Sequence, residues 1–241
     1  MTLHTYRPFD EELAKLRDQV LLMGGMVERA IQDCMTALIE VDDDLAQLTI
    51  ERDSTVNSME IESDHLARQV IIRYQPVGRD LRAVMGAIKA VTDLERMGDL
   101  AVDICRESLG MERRTREQEK SLVVMADRIR QQVCYALRAF SIRDYHYALT
   151  VIDLDQYVDI LCRNYERAMM AIIMKDRALI SAALALINIA KALERISDHA
   201  TNICEMVIYI RLGHDIRHLD REQALKVLNL EEGDWTPPTQ W

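Results

Sequence analysis

Two segments of the chain place oxygen-bearing side chains one helical turn apart, within stretches whose apolar spacing is typical of helices. With about 3.6 residues per turn, a step of four residues rotates a side chain by only about 40°, so such residues project from one face. The first segment has Glu95, Asp99 and Asp103 at this spacing, and the second has Glu194, Asp198 and Asn202. Each segment therefore predicts a ladder of oxygen ligands.

Glu95 and Glu194 interrupt stripes that are otherwise small and apolar. The stripe around Glu95 runs from Val84 to Leu109 at alternating spacings of four and three, and Glu194 occupies the same place in a matching stripe. Such stripes form the seams between packed helices. A carboxylate on the seam in both segments indicates a specific role for the charge.

A second pair of predicted helices adds further ligands at heptad spacing. They are Asp53, Asn57, Glu60 and Asp64 in one helix, and Asp155, Asp159, Cys162 and Glu166 at the corresponding positions of the other. If the helices are antiparallel neighbours, two ladders face each other in each half of the chain. Carboxylates that meet on a partly dry face repel, and protonation, pairing with Arg or Lys, or a bound cation relieves the repulsion.

The ladders therefore allow two interpretations. Oxygen ligands suit Mg²⁺, Ca²⁺, Mn²⁺ and carboxylate-bridged iron, so divalent or ferric ions are candidates, Zn²⁺ included, without a preferred identity. Alternatively, Arg96 and Arg195, together with exposed lysines and arginines, neutralise the ladders as helix-surface salt bridges. The repetition in both halves favours the metal interpretation, and both remain open.

The two acidic segments belong to a longer internal duplication. Residues 94–99 (LERMGD) return as residues 193–198 (LERISD), 99 positions later. Upstream, matching residues such as Asp53 and Asp155 lie 102 positions apart. Three residues are therefore missing from the second half, opposite residues 74–79, where a proline and a glycine predict an interhelical turn.

Each half of the duplication predicts three helices, with bounds near 10–40, 43–74 and 79–110, then near 117–141, 144–174 and 177–212. Long helices joined by short turns lie antiparallel and bury apolar stripes, so the predicted fold is all-α, with two repeated three-helix bundles. The predicted units are residues 1–112, residues 113–220 and a C-terminal tail of residues 221–241. Residues 111–116 are interpreted as a solvated linker and residues 231–241 as mobile.

Bulk composition narrows the functional classes. A net charge of -10 argues against binding to a nucleic-acid backbone. The longest charge-free apolar stretch, residues 178–190, is shorter than the roughly 18 residues expected of a membrane span, and the first residues lack an apolar signal core. We therefore expect a cytoplasmic protein that meets a membrane only through partners.

Two smaller features concern packing. The five cysteines lie singly on predicted helices without a CxxC pair, so we expect reduced thiols that fill the core. Gly24 and Gly25 interrupt a helical pattern at a cost of roughly 1 kcal/mol each, which indicates either a close contact or a tolerated defect.

The chain resembles the PhoU family over nearly its whole length, in the blocks MGGMVERAI (23–31), QPVGRDLRAVM (75–85), DLERMGDLAVDIC (93–105), ALERISDHATNICE (192–205) and GHDIRH (213–218). The resemblance implies two three-helix bundles, a homodimer, and multinuclear metal clusters on the acidic ladders, as reported for some members. It also implies an adaptor that restrains phosphate uptake and phosphate-starvation signalling by linking the phosphate-specific ABC transporter to its sensor histidine kinase.

The family's paired acidic motif maps onto Glu95 and Asp99, onto Asp155 and Asp159, and onto Glu194 and Asp198. The fourth pair departs from the family pattern, because Asn57 stands where an acid would follow Asp53. Ser197 also replaces the glycine found at Gly98. We therefore expect the first bundle to hold a metal less tightly, or to draw on Glu60 and Asp103. The predicted metal ligands are Asp53, Asn57, Glu95, Asp99, Asp103, Asp155, Asp159, Glu194, Asp198 and Asn202.

The sequence suggests two other functions. A di-iron carboxylate enzyme needs two Glu-x-x-His pairs, and only Glu62 and His65 form one. A PhoU-like paralogue could serve a different transporter or kinase with the same fold. Because no nucleophile elbow, phosphate-binding glycine loop or Cys/His constellation occurs, we expect no enzymatic activity.

Overall fold

The computed structural model describes residues 7–111 and 116–235. Its six long helices are α1 (Arg7–Glu40), α2 (Asp43–Tyr74), α3 (Gly78–Leu109), α4 (Arg116–Ile142), α5 (Tyr145–Lys175) and α6 (Ile180–Leu212), followed by a short α7 (Arg221–Leu228). Single 3₁₀ turns occupy Arg177–Leu179 and Glu232–Asp234, and the described ranges contain no strand. The predicted bounds of the six long helices agree with these to within three residues.

The turns that lead into α2 and α5 show the duplication in the backbone. Asp42 caps α2 by accepting a hydrogen bond from the N–H three residues later at 2.9 Å, and Asp144 caps α5 in the same way at 3.1 Å. The residues before them, Val41 and Arg143, both have positive φ angles, of 61° and 54°. The same turn was therefore kept in both halves although its sequence changed.

The helices form two three-helix bundles that lie side by side. Helices α1, α2 and α3 contact one another, as do α4, α5 and α6, while α3 packs on α6 and α1 packs on α4 to join the bundles. Each helix buries residues at spacings of three and four, as in the run Leu16, Val20, Met23, Val27 and Ile31 of α1. Helices α2 and α5 consequently lie on the outside, and the acidic ladders fall on the α2–α3 and α5–α6 seams.

Gly24 marks a close contact between the bundles. A Cβ atom on Gly24 would lie 2.4 Å from Cδ2 of Leu137 in α4, whereas a Cβ on Gly25 would meet nothing within 4 Å. The interpretation as a close contact therefore holds for Gly24, and the interpretation as a tolerated defect holds for Gly25. The first glycine allows α1 and α4 to approach, and the second is a tolerated helical position.

The C-terminal segment packs on the second bundle as far as the structure describes it, so the prediction of mobility from residue 231 is wrong for residues 231–235. Trp235 is only 4% exposed, and its ring lies 5.1 Å from the guanidinium carbon of Arg221. Arg221 also donates to Oδ2 of Asp153 on α5 at 2.9 Å and to the carbonyl oxygen of Trp235. Residues 236–241 lie outside the described ranges.

Two smaller expectations need correction. Met111 belongs to the hydrophobic core with 9% exposure, so the solvated linker does not begin there. Residues 112–115 of that linker lie outside the described ranges. Four of the five cysteines are buried as expected, but Cys134 is exposed. All five are free thiols.

Among the described helices, none combines the length and the apolar character needed to cross a membrane.

Substituting the two adjacent glycines separately tests the close contact. Gly25→Ala should raise the free energy of unfolding by up to about 1 kcal/mol, because alanine is the better helix former and space is free. Gly24→Ala should lower it by about 1–3 kcal/mol, because Leu137 must move. Urea denaturation of the metal-free protein measures both. Equal stabilisation by the two substitutions would show that α1 and α4 are not in close contact.

Candidate functional site

Three carboxylates converge on the α5–α6 seam of the second bundle. Asp155 and Asp159 lie one turn apart on α5, and Asp198 faces them from α6. One carboxylate oxygen from each lies within 4.8 Å of the other two. This spacing lets a single cation contact all three groups, and it is the only such group of three acidic, histidine or cysteine side chains among the described residues.

A buried hydroxyl and a buried amide support Asp155 from behind. Ser197 lies 2.6 Å from Oδ1 of Asp155 and 2.7 Å from Oε1 of Gln132 on α4. A hydroxyl carries one hydrogen, so Ser197 can donate to only one of two acceptors at a time. Both contacts are satisfied if Asp155 is protonated or if the amide group of Gln132 turns its NH₂ towards Ser197.

Three carboxyls of this seam, those of Asp155, Glu194 and Asp198, have raised pKa values and so hold protons more tightly than in water. Burial, opposed by the Ser197 hydrogen bond and reinforced by the charges of Asp198 and Asp159, raises the pKa of Asp155 to about 6. Burial and the charges of Asp159 and Asp198 also raise the pKa of Glu194. Burial and the charge of Asp159 raise the pKa of Asp198. The metal-free cluster is therefore electrostatically strained near neutral pH.

The first bundle has an incomplete version of the cluster. Asn57 donates to Oδ2 of Asp53 at 3.0 Å, in the place where the second bundle has Asp159. Oδ1 of Asp53 is buried without a hydrogen bond among the described residues. It rests against α3, since a Cβ on Gly98 would lie 2.9 Å from it. Gly98 therefore makes room for this oxygen, and Ser197 of the second bundle supplies a hydroxyl there.

The charge environment of the first bundle is also acidic. Burial, followed by the charge of Asp99, raises the pKa of Glu95, and Glu60 contributes a smaller effect. Burial and the charge of Asp64 raise the pKa of Glu60. Glu60, noted in the sequence as a possible helper, is thus electrostatically coupled to this ladder.

The salt-bridge interpretation applies to arginine in the first bundle only, while in the second bundle Lys191 lies 3.6 Å from Glu166 of the α5 ladder. Arg96 lies 3.6 Å from Glu95 and 3.7 Å from Asp99, but 58% of its side chain is exposed. Exposed pairs of this kind contribute about 0–1 kcal/mol. Arg195 of the second bundle makes no ion pair within 4 Å with any described residue, although its charge lowers the pKa of Asp198. The three-carboxylate cluster is therefore not paired with arginine.

Two predicted ligands lie elsewhere. Asp103 is exposed and pairs with Arg106 at 3.2 Å. Asn202 donates to Oδ1 of Asp93 on α3 at 3.0 Å, next to His199, whose Nδ1 lies 2.8 Å from the same oxygen. Two steps of 40° turn these positions away from the seam, so the ladders end one turn earlier than predicted.

The geometry does not favour the di-iron interpretation. Glu62 and His65 are both exposed on α2, whereas a di-iron centre takes its ligands from the interior of a bundle. The sequence offered no second pair.

The residues present fit a hard cation. The second bundle offers three carboxylate oxygens that lie within 4.8 Å of one another. The first offers a buried carboxylate oxygen without a donor, beside a helix position that a side chain would fill. Oxygen-only ligand sets of this kind suit Mg²⁺, Mn²⁺, Ca²⁺ or iron. Sequence reasoning missed Gln132, because it comes from α4 and its counterpart in α1 is Ala30.

A duplicated three-helix bundle with an acidic seam in each half defines the class of this protein. The family model described as "PhoU domain" matches residues 20–108 and 122–207, one match for each bundle. The chain belongs to the PhoU family.

Relatives and solved structures agree with this assignment. A phosphate-specific transport system accessory protein PhoU from Escherichia coli (strain K12) is 36% identical over 235 residues, which cover 96% of each chain. A PhoU homolog from Pseudomonas putida is 38% identical over 91% of this chain and 86% of its own. The crystal structure of PhoU from Pseudomonas aeruginosa matches with a TM-score of 0.80 at 36% identity, covering 86% of this chain and 100% of the other. That of the phosphate transport system regulatory protein PhoU from Streptococcus pneumoniae also gives 0.80, at 26% identity over 86% and 98%.

Replacing Asp155 by Asn tests the electrostatic strain. The folded-state pKa of about 6 exceeds the reference value of 3.8, so the folded protein binds this proton more tightly than the unfolded chain. This tighter proton binding contributes to the free energy of unfolding in full below about pH 4. The contribution is lost as the pH rises through 6. Asp155→Asn should therefore unfold like the parent protein at pH 4 and be roughly 3 kcal/mol more stable at pH 8 without metal.

Denaturant unfolding between pH 4 and pH 8, in chelator, measures this difference. Asp103→Asn is the matched control, because Asp103 is exposed and lies off the seam. A stability gain that is the same at both pH values, or that Asp103→Asn reproduces, would contradict the strain.

Proposed function

We propose that this protein is a regulatory accessory of phosphate transport that restrains phosphate uptake and phosphate-starvation signalling. The observation that carries the proposal is the identity of more than a third of residues with proteins named phosphate-specific transport system accessory protein, over nearly the whole of both chains. Accessory proteins of a transporter act through contacts with it. We therefore extend the proposal to an adaptor that links the phosphate-specific ABC transporter to its sensor histidine kinase, without enzymatic activity of its own.

We further propose that the acidic seams hold metal ions as part of this role. The second bundle would bind the cation through Asp155, Asp159 and Asp198. Glu194 lies on the same seam and would be an additional ligand. A divalent cation there would neutralise carboxylates that have no arginine partner and would cross-link α5 to α6. The first bundle would bind more weakly through Asp53, Asp99 and Glu95, because the amide of Asn57 carries no charge.

Dimer formation belongs to the same proposal. Association of two copies would let an adaptor contact two partners at the same time. The outer helices carry exposed apolar residues that could contact a second copy, including Ile61 at 68% and Met174 at 83% exposure. Sedimentation of the purified protein with and without metal reports the association state.

Two mirror-image substitutions test the metal role. Asp159→Asn gives the second bundle the side chain of the first, and Asn57→Asp gives the first bundle that of the second. Asp159→Asn should weaken the tighter metal site at least about tenfold, and Asn57→Asp should strengthen the weaker one by a similar factor, because each changes the charge count by one.

Calorimetric titration with Mn²⁺, Mg²⁺, Zn²⁺ and Fe³⁺ against metal-free protein measures both sites. Melting temperatures in the same metals give an independent readout, since a ligand that binds only the folded state stabilises it. If neither substitution changes the response to any of these ions, the acidic seams are structural.

A double substitution tests whether the seams matter for signalling. Glu95→Gln with Glu194→Gln keeps side-chain volume and hydrogen bonding but removes both seam charges. In cells whose own PhoU has been deleted, the parent protein should keep a phosphate-starvation reporter repressed, and the double variant should leave it several-fold induced. Glu62→Gln, on the exposed face of α2, is the control and should repress normally.

Circular dichroism of the double variant must match the parent, and its metal-free melting temperature must not fall well below the parent's, because removing carboxylates whose pKa is raised by burial relieves strain. Loss of repression then reports function rather than folding. Full repression by the double variant would separate the seams from signalling. A parent protein that fails to repress, yet co-purifies with a different transporter after cross-linking, would identify it as a paralogue with another partner.

A further inference from the structure

Four arginines gather at the junction of the two bundles, in a protein whose net charge is -10. Arg17 comes from α1, Arg79 from the first turn of α3, Arg143 from the turn between α4 and α5, and Arg211 from the last turn of α6. Burial, followed by the charges of Arg79, Arg17 and Arg211, lowers the pKa of the Arg143 guanidinium, and Asp80 opposes this. We call these four residues the arginine pocket.

The four arginines outnumber the described acidic side chains near them, since Asp80 is the acid whose charge acts on Arg143. Arg79, Arg143 and Arg211 make no ion pair within 4 Å with any residue in the described ranges. Arg17 pairs only with its neighbour Asp18, through Nη2 at 3.3 Å. The Nε atom of Arg17 is buried and has no hydrogen-bond partner among the described residues. A half-buried guanidinium surrounded by like charges costs free energy unless an anion is bound.

The shape of the site indicates what part of a ligand would enter. Arg17 and Arg143 line a small cavity with apolar walls that include Ala83, Phe140 and Ile210, and its volume is about 10 Å³. That is room for about one water-sized group. Arg79 and Arg211 are exposed and lie outside the enclosed part. One oxygen of a ligand would therefore enter between Arg17 and Arg143. The charges of Arg79 and Arg211, which act on Arg143 from outside the cavity, would attract the remaining oxygens.

The duplication does not explain these arginines. The position equivalent to Arg143 is Val41, which has the same left-handed backbone conformation, and the position equivalent to Arg17 is Glu119. The turn does not require a long charged residue, since Val41 adopts the same backbone conformation in the first bundle. The positive charge is therefore specific to the junction between the bundles.

We propose that the arginine pocket binds a phosphoryl oxyanion, either inorganic phosphate or the phosphoryl group of a partner molecule. Guanidinium groups match tetrahedral oxyanions through several charge-assisted N–H donors, and four of them favour a dianion over a carboxylate. The bound group would contact α1 and α3 of the first bundle and the α4–α5 turn and α6 of the second. It would therefore stabilise the contact between the bundles, independently of any metal on the acidic seams.

Binding is tested by calorimetric titration and by melting temperature, with inorganic phosphate and with O-phosphoserine, at constant ionic strength in metal-chelating buffer. We expect a saturable rise in melting temperature with at least one of these probes and no response to equivalent chloride. Binding of inorganic phosphate identifies the free anion as the ligand, and binding of O-phosphoserine alone identifies a phosphorylated partner. A protein that responds to neither probe overturns the proposal.

Arg143→Gln should weaken binding at least tenfold and, because it removes a like charge, should not lower the melting temperature of the ligand-free protein. Arg79→Gln should weaken binding several-fold. Because Arg79 is exposed, this variant keeps the test valid if Arg143→Gln misfolds. Arg163→Gln, on the exposed face of α5, should bind like the parent. Equal phosphate binding by the parent and by the Arg143 and Arg79 variants would show a nonspecific ionic effect and would overturn the proposal.

Discussion

Repulsion between carboxylates held on an apolar helix seam is the constraint on which the second bundle depends. Asp155, Asp159 and Asp198 have oxygens within 4.8 Å of one another because the apolar residues of the same helices are buried. Burying each large apolar side chain among them stabilises the fold by about 1.5–3 kcal/mol. At the effective dielectric of about 20 that suits partly buried groups, two charges 4–5 Å apart repel by about 3–4 kcal/mol, which the burial of several large apolar residues exceeds. Apolar packing therefore wins, and the charges stay together.

Most of the fold and half of the site geometry could be predicted from spacing alone. Helix bounds, the three-residue deletion and the two acidic seams follow from apolar periodicity and from repetition, which are local properties of the chain. The ends of the ladders could not be predicted, because a drift of 40° per turn decides whether Asn202 faces α5 or α3, and this depends on the crossing of neighbouring helices. Gln132 was missed since its role comes from a third helix without an acidic pattern. Helix α7 has eight residues, too few to show a periodicity.

The duplication has diverged at the site while its backbone has been kept. Asn57 and Gly98 of the first bundle correspond to Asp159 and Ser197 of the second, and these two exchanges change both the charge and the hydrogen bonding of the central aspartate. In the second bundle a hydroxyl supports Asp155, and in the first a bare helix backbone borders Asp53. The two halves are thus similar scaffolds with different electrostatics. If a cation binds to both acidic seams, their occupancies need not rise together with its concentration.

The docking of the C-terminal segment bears on the mechanical stiffness of the acidic seam. Helix α5 lies on the outside of its bundle and packs on only two other long helices, α4 and α6. Arg221 contacts it from a third side through a hydrogen bond to Asp153, two residues before Asp155. Outer helices that are held on two sides can slide or tilt under load. A third point of attachment close to Asp155 makes α5 less compliant there, so force applied to the far end of the helix would bend it rather than displace the carboxylates.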